Sequence, residues 1–417
     1  MPPEMSPEHA TGNRWLSIVG IGEDGVAGLG DNAKQAIASA AFVFGGKRHL
    51  ALAEALISGE ARPWSVPFDP TMADVVALRG KPVCALASGD PFFFGVGVNL
   101  SRVVSRDEYV TYPAPSSFSL AASRLGWALQ DIEAVSLHGR PTSLIRPLLH
   151  PARRILALTS DGRGPAELAR LLAGTGFSTS HLTVLEALGG ENERIRSAQA
   201  FQFALSDVSD LNVVAIEVKA DAEAQPLPLA SGLEDDFFEH DGQMTKREIR
   251  ALTLSALAPR RGGLLWDIGA GSGSIGIEWM LRHPSMRTIA IEADPVRADR
   301  ARKNANSLGV PGLQLVEGTA PTALADLEAP DAIFIGGGGS DDGVLETAMD
   351  RLKPRGRLVA NAVTLETEKV LLEARAQFGG RLVRLQLSRA EPVGSMQGWR
   401  PAMPVTQWTW HKDRMVR

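Results

Sequence analysis

Short apolar runs alternate with helical patterns along the first half of the chain. Runs rich in apolar and β-branched residues predict strands at 15–20, 83–87, 154–159, 181–186 and 211–218. Ala- and Leu-rich segments at 31–41 and 164–173 predict helices. Because parallel strands need a crossover helix between them, this alternation predicts an α/β domain with largely parallel strands.

The alternation is more regular in the second half. It predicts strands at 264–268, 288–292, 313–317, 331–335 and 357–361, helices at 274–281 and 295–308, and two late strands at 382–387 and 405–410. This pattern is typical of a doubly wound sheet that is closed by its last strands.

An acidic segment separates the two halves. Residues 221–241 hold seven Asp and Glu residues and no Lys or Arg, and Pro226 and Pro228 interrupt regular structure there. Runs of like charge are typical of solvated linkers. A chain of 417 residues is long enough for two cores, so we expect one domain at 1–230 and a second at 231–417.

The amino-acid composition argues against several classes of protein. The 43 Lys and Arg residues against 48 Asp and Glu give a net charge of −5, which argues against a nucleic-acid partner. A single cysteine, Cys84, excludes an intrachain disulfide and a cysteine-based metal site, so we expect no metal and a reducing, cytoplasmic compartment. No apolar run predicts a signal peptide or a membrane span.

A glycine-rich turn follows the predicted strand at 264–268 and opens the next helix. The turn begins after Asp267 and Ile268 and consists of Gly269, Ala270, Gly271, Ser272 and Gly273. Glycines let the backbone approach a ligand closely, and the N–H groups at the helix start face that ligand. Glu292 ends the next strand, where a carboxylate can accept hydrogen bonds from ribose hydroxyls.

The spacing of this turn discriminates between adenosine ligands. The glycines follow G-x-G-x-G, and the carboxylate of Asp267 would oppose the pyrophosphate that a dinucleotide places at a helix start. S-adenosylmethionine carries an ammonium and a sulfonium and no phosphate, so Asp267 and Glu292 together favour it. NAD and a glycine turn without a ligand remain as alternatives.

Three segments of the first half form a second candidate site. GIGEDG (20–25) and SGDPFFFG (88–95) each follow a predicted strand, and PSSF (115–118) opens a helix with a serine as its cap. Phe92, Phe93 and Phe94 could pack against an adenine or in the core, and by themselves they favour the core. The serines are equally consistent with a plain helix cap.

Four glycines at 336–339 permit a bulky, flat substrate to approach the end of a strand. The Asp/Asn-Pro-Pro-aromatic tetrapeptide that nitrogen methyltransferases carry at this place is absent, which favours a carbon nucleophile. Basic side chains that could hold substrate carboxylates are Lys47, Arg48, Lys246 and Arg247, with His49 and His138 as further candidates. Ordinary surface charge is the alternative for each.

These motifs carry resemblances to two enzyme families. The first half resembles the tetrapyrrole methylases of corrin biosynthesis through GIGEDG (20–25), GGKRHL (45–50), SGDPFFFGVG (88–97) and PAPSSFSLAASRLGW (113–127). The second half resembles class I methyltransferases that methylate and decarboxylate a precorrin, through GQMTKREIRA (242–251), WDIGAGSGSIGIEW (266–279), AIEADP (290–295), VEGTAP (316–321) and DAIFIGGGG (331–339). Joined in one chain, they resemble the decarboxylating precorrin-6Y C5,15-methyltransferase family.

The resemblance implies an α/β protein with a two-lobed tetrapyrrole methylase domain followed by a Rossmann-like class I methyltransferase domain. It implies one S-adenosylmethionine in each domain, a precorrin substrate, no membrane partner and a homo-oligomer. The first domain would methylate C5 of precorrin-6B. The second would methylate C15 and decarboxylate the C12 acetate, giving precorrin-8X in cobalamin biosynthesis.

The resemblance also implies cofactor contacts, residue by residue. In the second domain they are Thr245, the turn at 269–273, Glu292, Gly318 and Ala320, and in the first they are Gly89, Asp90, Pro91, Ser116 and Ser117. No catalytic acid or base is implied, because methyl transfer from a sulfonium depends on alignment. An RNA or protein methyltransferase with an accessory domain, and an S-adenosylmethionine sensor without turnover, remain as alternatives.

Overall fold

The computed structural model describes residues 14–412. The chain forms two compact units, one of Met1–Thr142 with His150–Gln225 and one of Ser143–Leu149 with Pro226–Arg417. Among the described residues, no helix combines the length and the apolar character that crossing a membrane requires.

The first unit begins with a parallel sheet. Its strands are β1 (Leu16–Ile21), β2 (Phe42–Gly45), β3 (Glu60–Pro63), β4 (Val83–Ser88) and β5 (Tyr109–Tyr112), in the order β3-β2-β4-β1-β5. Its helices are α1 (Asp31–Ala38), α2 (Lys47–Leu52), α3 (Ala73–Val76) and α4 (Gly97–Val103). The apolar runs predicted β1 and β4, which pair in parallel at the centre of the sheet. Their carboxyl ends therefore lie side by side.

The second sheet of this unit is mixed. Its strands are β6 (Ile132–Ser136), β7 (Arg154–Leu158), β8 (His181–Glu186), β9 (Arg194–Gln199) and β10 (Asn212–Glu217), in the order β6-β7-β10-β8-β9, with α5 (Ser117–Leu125) and α6 (Gly164–Gly174) beside them. β6 and β7 are parallel, but the other three pairings are antiparallel. The expectation of parallel strands is wrong for this sheet, because residues 187–211, all described, contain no α-helix that could serve as a crossover.

The second unit contains a seven-stranded sheet with helices α7 (Arg247–Leu257), α8 (Ser274–Leu281), α9 (Pro295–Ser307), α10 (Val344–Arg351) and α11 (Leu365–Phe378). The strands are β11 (Leu264–Ile268), β12 (Arg287–Glu292), β13 (Gln314–Glu317), β14 (Ala332–Ile335), β15 (Arg357–Ala362) and β16 (Arg381–Leu385), then the hairpin β17 (Ser388–Val393) and β18 (Met396–Pro401), which forms its own small sheet, and finally β19 (Val405–His411).

The large sheet has the order β13-β12-β11-β14-β15-β19-β16, with β19 antiparallel to both of its neighbours. Two apolar clusters, one on each face, bury the central strands, as the doubly wound pattern predicted. The strand order reverses between β11 and β14. In such sheets the crevice beyond the carboxyl ends of these two strands is where ligands bind.

The acidic segment is packed into the two units, so the expectation of a solvated linker is wrong. Asp221 accepts from Ser178 and Thr179 in the first unit, and residues 226–241 belong to the second. Leu227, Leu233 and Phe238 are buried in the apolar cluster that includes α7 and α8. The carboxylates pair with arginines further along the chain: Glu234 with Arg247, Asp235 with Arg250, and Asp241 with Arg297. A run of like charge predicts a linker only when its counter-charges are absent, and here the tertiary fold brings them in.

Candidate functional site

A cavity of about 820 Å³, termed the C-terminal cavity, lies at the carboxyl ends of β11, β12 and β14. It is lined by Gly269 and Gly271 of the turn after β11, by Glu292 at the end of β12, and by residues 336–338 after β14. This is the crevice at which the strand order reverses. The structure therefore brings together the turn, the carboxylate and three of the four consecutive glycines that the sequence singled out.

The sequence-predicted contacts divide into two groups. Those that line the C-terminal cavity are Thr245, Gly269, Gly271, Glu292, Gly318 and Ala320. The others, which belong to the same turn or precede it but are not among the lining residues, are Asp267, Ala270, Ser272 and Gly273. The second group therefore belongs to the segment that positions Gly269 and Gly271 at the cavity and does not itself line it.

Asp267 is buried, and its position differs from that of a residue exposed to a ligand. Its Oδ2 accepts a hydrogen bond from the N–H of Gly276 at 2.9 Å, which fastens the start of α8 to the end of β11. Burial raises the pKa of Asp267 to about 7, and the charge of Glu292 acts in the same direction. The carboxyl group of Asp267 therefore titrates near neutral pH.

Glu292 is held by the backbone on both sides. Its Oε2 accepts from the N–H of Gly271 at 2.7 Å, and its Oε1 accepts from the N–H of Asp294 at 3.0 Å. Each carboxylate oxygen can accept more than one hydrogen bond. Acceptor capacity therefore remains for a ligand in the cavity that Glu292 lines.

The structural requirement for glycine differs between two positions of the turn. Gly269 has a φ of +72°, and a Cβ there would lie 2.7 Å from the Cα of Gly337, so the two loops pass too closely for any side chain. Gly271 has a φ of +58°, and a Cβ there would meet only the backbone oxygen of Gln243, at 3.9 Å. Gly271 therefore leaves open space beside the Glu292 carboxylate, where the backbone can be approached closely.

The sequence analysis missed several polar side chains of this cavity, namely Gln243, Arg297, Asp341, Asn361 and Arg389. Arg297 donates to Asp241 at 3.0 Å and to Gln243 at 2.6 Å. Asn361 interrupts an apolar strand close to its carboxyl end, which is a signal that could have been noticed. Of the basic residues considered for the substrate, Lys246 lines this cavity and Arg247 is not among its lining residues.

A second cavity, of about 900 Å³ and termed the N-terminal cavity, lies in the first unit between elements of its two sheets. Gly22 and Gly89, which follow β1 and β4, line it. A Cβ on Gly89 would lie 2.8 Å from the backbone oxygen of Pro115, and Gly89 itself has a φ of +58°. The loop after β4 and the start of α5 therefore pack closely enough to require glycine.

The predicted contacts of the first unit also divide. Gly89, Ser116 and Ser117 line the N-terminal cavity, whereas Asp90 and Pro91 are not among its lining residues. Asp90 accepts a hydrogen bond from the N–H of Phe92 at 2.8 Å, and the backbone oxygen of Pro91 accepts from Gly97 at 2.9 Å. Both residues shape the loop after β4. Ser116 caps α5 by accepting from the N–H of Ser119, so its cap role is present alongside its place in the cavity wall.

The expectation that the three consecutive phenylalanines pack in the core is wrong. Phe92, Phe93 and Phe94 are 41%, 41% and 50% exposed, and all three line the N-terminal cavity. They lie on a loop beyond the end of β4, where the chain has left the buried sheet. Phe93 and Phe94 contact Phe118 of α5, with ring centroids 5.1 and 5.7 Å away, which fixes them as an aromatic wall.

Basic side chains line another part of the N-terminal cavity. Arg48, His49, His138 and Arg140 are among its lining residues, and Lys47 is not. Arg48 pairs with Glu23, and its Nη2 lies 2.8 Å from Nε2 of His49. Burial and the charge of Arg48 lower the pKa of His49 to about 4, so this imidazole is neutral at neutral pH.

Within residues 14–412, no group of three or more His, Cys, Asp and Glu side chains is placed to hold a metal ion.

Comparisons with known proteins match both halves of the chain. The tetrapyrrole (corrin/porphyrin) methylase family matches residues 16–204, and the precorrin methyltransferase domain family matches residues 236–412. The precorrin-6Y C(5,15)-methyltransferase (decarboxylating) of Sinorhizobium sp is 62% identical over 405 residues, which cover 97% of this chain and 98% of that protein.

Two shorter proteins match part of the chain. The cobalt-precorrin-6B C(15)-methyltransferase (decarboxylating) of Salmonella typhimurium is 36% identical over 166 residues, which cover 39% of this chain and 85% of that protein. The crystal structure of the C-terminal domain of precorrin-6Y C5,15-methyltransferase from Rhodobacter capsulatus is 46% identical and covers 45% of this chain and 100% of its own, with a TM-score of 0.43.

The matches confirm the predicted fold class and the predicted fusion of two methyltransferase families, and they make S-adenosylmethionine the methyl donor. With 62% identity to one member across 97% of its length, the chain belongs to the precorrin-6Y C5,15-methyltransferase (decarboxylating) family.

Proposed function

We propose that the protein transfers methyl groups from S-adenosylmethionine to C5 and C15 of precorrin-6B and decarboxylates the C12 acetate, giving precorrin-8X in cobalamin biosynthesis. The observation that carries this proposal is that each unit has a large cavity beside a glycine-rich turn at the carboxyl ends of parallel strands. One chain thus offers two separate places for a methyl donor and a bulky substrate. The name of the Sinorhizobium relative includes both methylated positions and the decarboxylation.

We assign C5 methylation to residues 1–230, and C15 methylation with decarboxylation to residues 231–417. The Salmonella relative, named for the C15 methylation and the decarboxylation, aligns with only 39% of this chain, so one domain is large enough for both steps. The proposed boundary lies between the segments that the two family comparisons match, 16–204 and 236–412.

Each unit would bind its own S-adenosylmethionine, which supplies an electrophilic methyl group. In the second unit the direct contacts would be the predicted residues that line the cavity, with Glu292 accepting from the ribose. Asp267, Ala270, Ser272 and Gly273 would hold the turn in shape. In the first unit Gly89, Ser116 and Ser117 would make the contacts, and Asp90 and Pro91 would shape the loop.

The proposed reaction depends mainly on the alignment of the methyl donor with the substrate carbon. The substrate carbon attacks the methyl group in line as the bond from sulfur to methyl breaks, and a cavity that holds both reactants supplies most of the rate. Each methylated carbon then releases a proton. Loss of CO₂ leaves an electron pair that the conjugated macrocycle accommodates, and the acetate carbon takes up a proton. This account needs no metal ion.

A crossed pair of variants tests the assignment in the full-length protein. Glu292→Gln should lose C15 methylation and CO₂ release but keep C5 methylation. Gly89→Ala, which places a Cβ 2.8 Å from the backbone oxygen of Pro115, should lose C5 methylation and keep the other two. Mass spectrometry of the product and trapping of CO₂ measure these outcomes.

Calorimetric titration with S-adenosylmethionine should find two sites in the wild type and one in each variant. Wild-type protein that binds S-adenosylmethionine tightly and leaves precorrin-6B unchanged would contradict the proposal and favour a sensor. Methylation of RNA or of a protein in place of precorrin-6B would contradict it in favour of the other alternative.

The protein would act in the cytoplasm as a homo-oligomer, with no nucleic-acid partner. The net charge of −5 supports the absence of a nucleic-acid partner, and the single buried cysteine supports a reducing compartment. Light scattering of the purified protein tests the oligomer, and a monomer at micromolar concentration would contradict it.

A further inference from the structure

Three polar side chains form a hydrogen-bond network behind the C-terminal cavity. Asn361, near the carboxyl end of β15, donates from Nδ2 to Oγ1 of Thr253 on α7, at 3.0 Å. Gln407 stands opposite Asn361 on β19, and its Nε2 donates to Oδ1 of Asn361 at 3.0 Å and to Oγ1 of Thr253 at 3.2 Å. Thr253 donates its hydroxyl proton to the backbone oxygen of Ile249, at 2.8 Å.

Counting donors and acceptors fixes the orientation of the Asn361 amide. A threonine hydroxyl offers one donor and two acceptor positions, and the network uses all three. Both N–H groups of the Gln407 amide are used as well. Reversing the Asn361 amide would turn its oxygen towards the lone pairs of the Thr253 hydroxyl and its NH₂ group towards the NH₂ group of Gln407. Both contacts would be repulsive. The second N–H of Asn361 therefore has no partner within residues 14–412.

The position of β15 in the sheet places Asn361 on the side of the C-terminal cavity away from Glu292. Asn361 lines the C-terminal cavity, whereas Thr253 and Gln407 are buried behind it. In the sheet β15 is three strands away from β12, which ends at Glu292. Three strand spacings are about 14 Å. If Glu292 binds the ribose, as the proposed function has it, a donor on β15 lies well beyond the adenosine and meets the substrate.

We propose that Asn361 donates its unpartnered amide N–H to a carboxylate oxygen of the precorrin and so orients the substrate in the C-terminal cavity. This inference rests on the proposed function. A neutral donor holds a carboxylate without the strong ground-state stabilisation that an arginine would give it. That suits a site where one carboxyl group leaves as CO₂, because tight ion pairing of the departing group would raise the barrier.

The test variant replaces the amide donor of Asn361 and keeps the size of the side chain. Asn361→Asp preserves the size of the side chain and can still accept from Gln407, and it can accept from Thr253 once that hydroxyl proton turns away from the backbone oxygen of Ile249. It offers the substrate an acceptor in place of a donor. The full-length protein is titrated with precorrin-6B in the presence of S-adenosylhomocysteine, which prevents turnover, and binding is followed by the absorbance of the macrocycle. S-adenosylmethionine affinity is measured separately by calorimetry.

We expect Asn361→Asp to weaken precorrin-6B binding to the C-terminal cavity by about 30-fold, since a lost hydrogen bond to a charged group is joined by charge repulsion. S-adenosylmethionine affinity should stay within about 2-fold of the wild type, because β15 stands three strands away from β12 and Glu292, and substitutions at distant sites act independently. Asn361→Ser, which lacks the amide and introduces no charge, should weaken precorrin-6B binding by about 10-fold. Asn306→Asp, the same replacement on an exposed face of α9, is the matched control and should change neither affinity.

The two proposals fail in different ways. Unchanged precorrin-6B affinity in both Asn361 variants would contradict this inference alone, as would an equal loss of S-adenosylmethionine affinity, which would place Asn361 on the cofactor. Wild-type protein that does not bind precorrin-6B would contradict the proposed function as well. If Asn361→Asp fails to fold, the Asn361→Ser comparison decides.

Discussion

Arg250 on α7 and Glu278 on α8 form an ion pair in which neither side chain is exposed. Arg250 also donates to the backbone oxygen of Thr245 at 2.6 Å, and Glu278 accepts from the N–H groups of Gly232 and Leu233 at 2.7 and 3.0 Å. The pair therefore anchors Gly232 and Leu233 of the acidic segment and the Thr245 turn of the C-terminal cavity. Arg250→Met and Glu278→Gln, singly and together, test this role.

The magnitudes follow from what each change leaves behind. Arg250→Met leaves a buried carboxylate without its cation and should cost about 3–5 kcal/mol. Glu278→Gln should cost less, because Asp235 lies 3.1 Å from Arg250 and remains as a partner. The double variant buries no unpaired charge at position 278, so it should be destabilised by about 2 kcal/mol less than the sum of the singles. It should still fall short of the wild type, because the backbone oxygen of Thr245 loses its donor.

Amide hydrogen exchange of peptides from α7 and α8 in the full-length protein is the appropriate assay, since one global transition is not defined for a chain with two units. Arg250→Met should also weaken S-adenosylmethionine binding, because it frees the Thr245 turn. The control is Arg302→Met, which breaks two ion pairs, with Asp299 and Glu317, that are about half exposed, and it should cost about 1 kcal/mol or less. Strict additivity of the two substitutions would refute the reasoning, as would unchanged exchange of α7 and α8 in Arg250→Met.

Two further predictions concern the glycine turn and the carboxyl group before it. Burial raises the pKa of Asp267 to about 7 from an ordinary 3.8, so the folded state holds a proton that the unfolded state releases, and stability falls as pH rises between these values. Asp267→Asn should therefore gain about 2 kcal/mol relative to the wild type between about pH 5.5 and about pH 8.5, measured by amide hydrogen exchange of peptides from β11 and α8 after correction for intrinsic exchange rates, and an equal pH dependence of both proteins would contradict this. Gly269→Ala should speed the amide exchange of peptides from β11 and α8, because its Cβ would lie 2.7 Å from Gly337. Gly271→Ala should change that exchange less and mainly weaken S-adenosylmethionine binding, and equal effects on exchange would refute the distinction.

The pattern of apolar and polar residues was sufficient to predict the central strands of both units. Buried strands such as β1, β4 and β11 are nearly continuous apolar runs, and a turn that contains glycine follows each of them. Both features can be read from neighbouring residues. Short or half-exposed strands such as β3, β9 and the hairpin of β17 and β18 escaped, because their side chains alternate or are mostly exposed and leave no apolar run.

The candidate site shows the same division. The turn at 269–273, Glu292 and the loop at 88–95 could be located from residue type and spacing, because glycine and carboxylate requirements are local. The acidic segment, the exposed phenylalanines and the network around Asn361 could not. Their state depends on partners that are distant in sequence: Thr253 and Gln407 lie 108 and 46 positions from Asn361.

By itself, then, the sequence determined the fold class, the two-family organisation and the glycine turns that open each cavity. These follow from backbone conformation and from short-range periodicity, which neighbouring residues control. Only the tertiary structure decided that Asp267 is buried and fastened to α8, and that Asn361 lines the C-terminal cavity while it is held by Thr253 and Gln407. Burial and hydrogen-bond partnership are set by which strands and helices meet, and that meeting is not encoded at any single position of the chain.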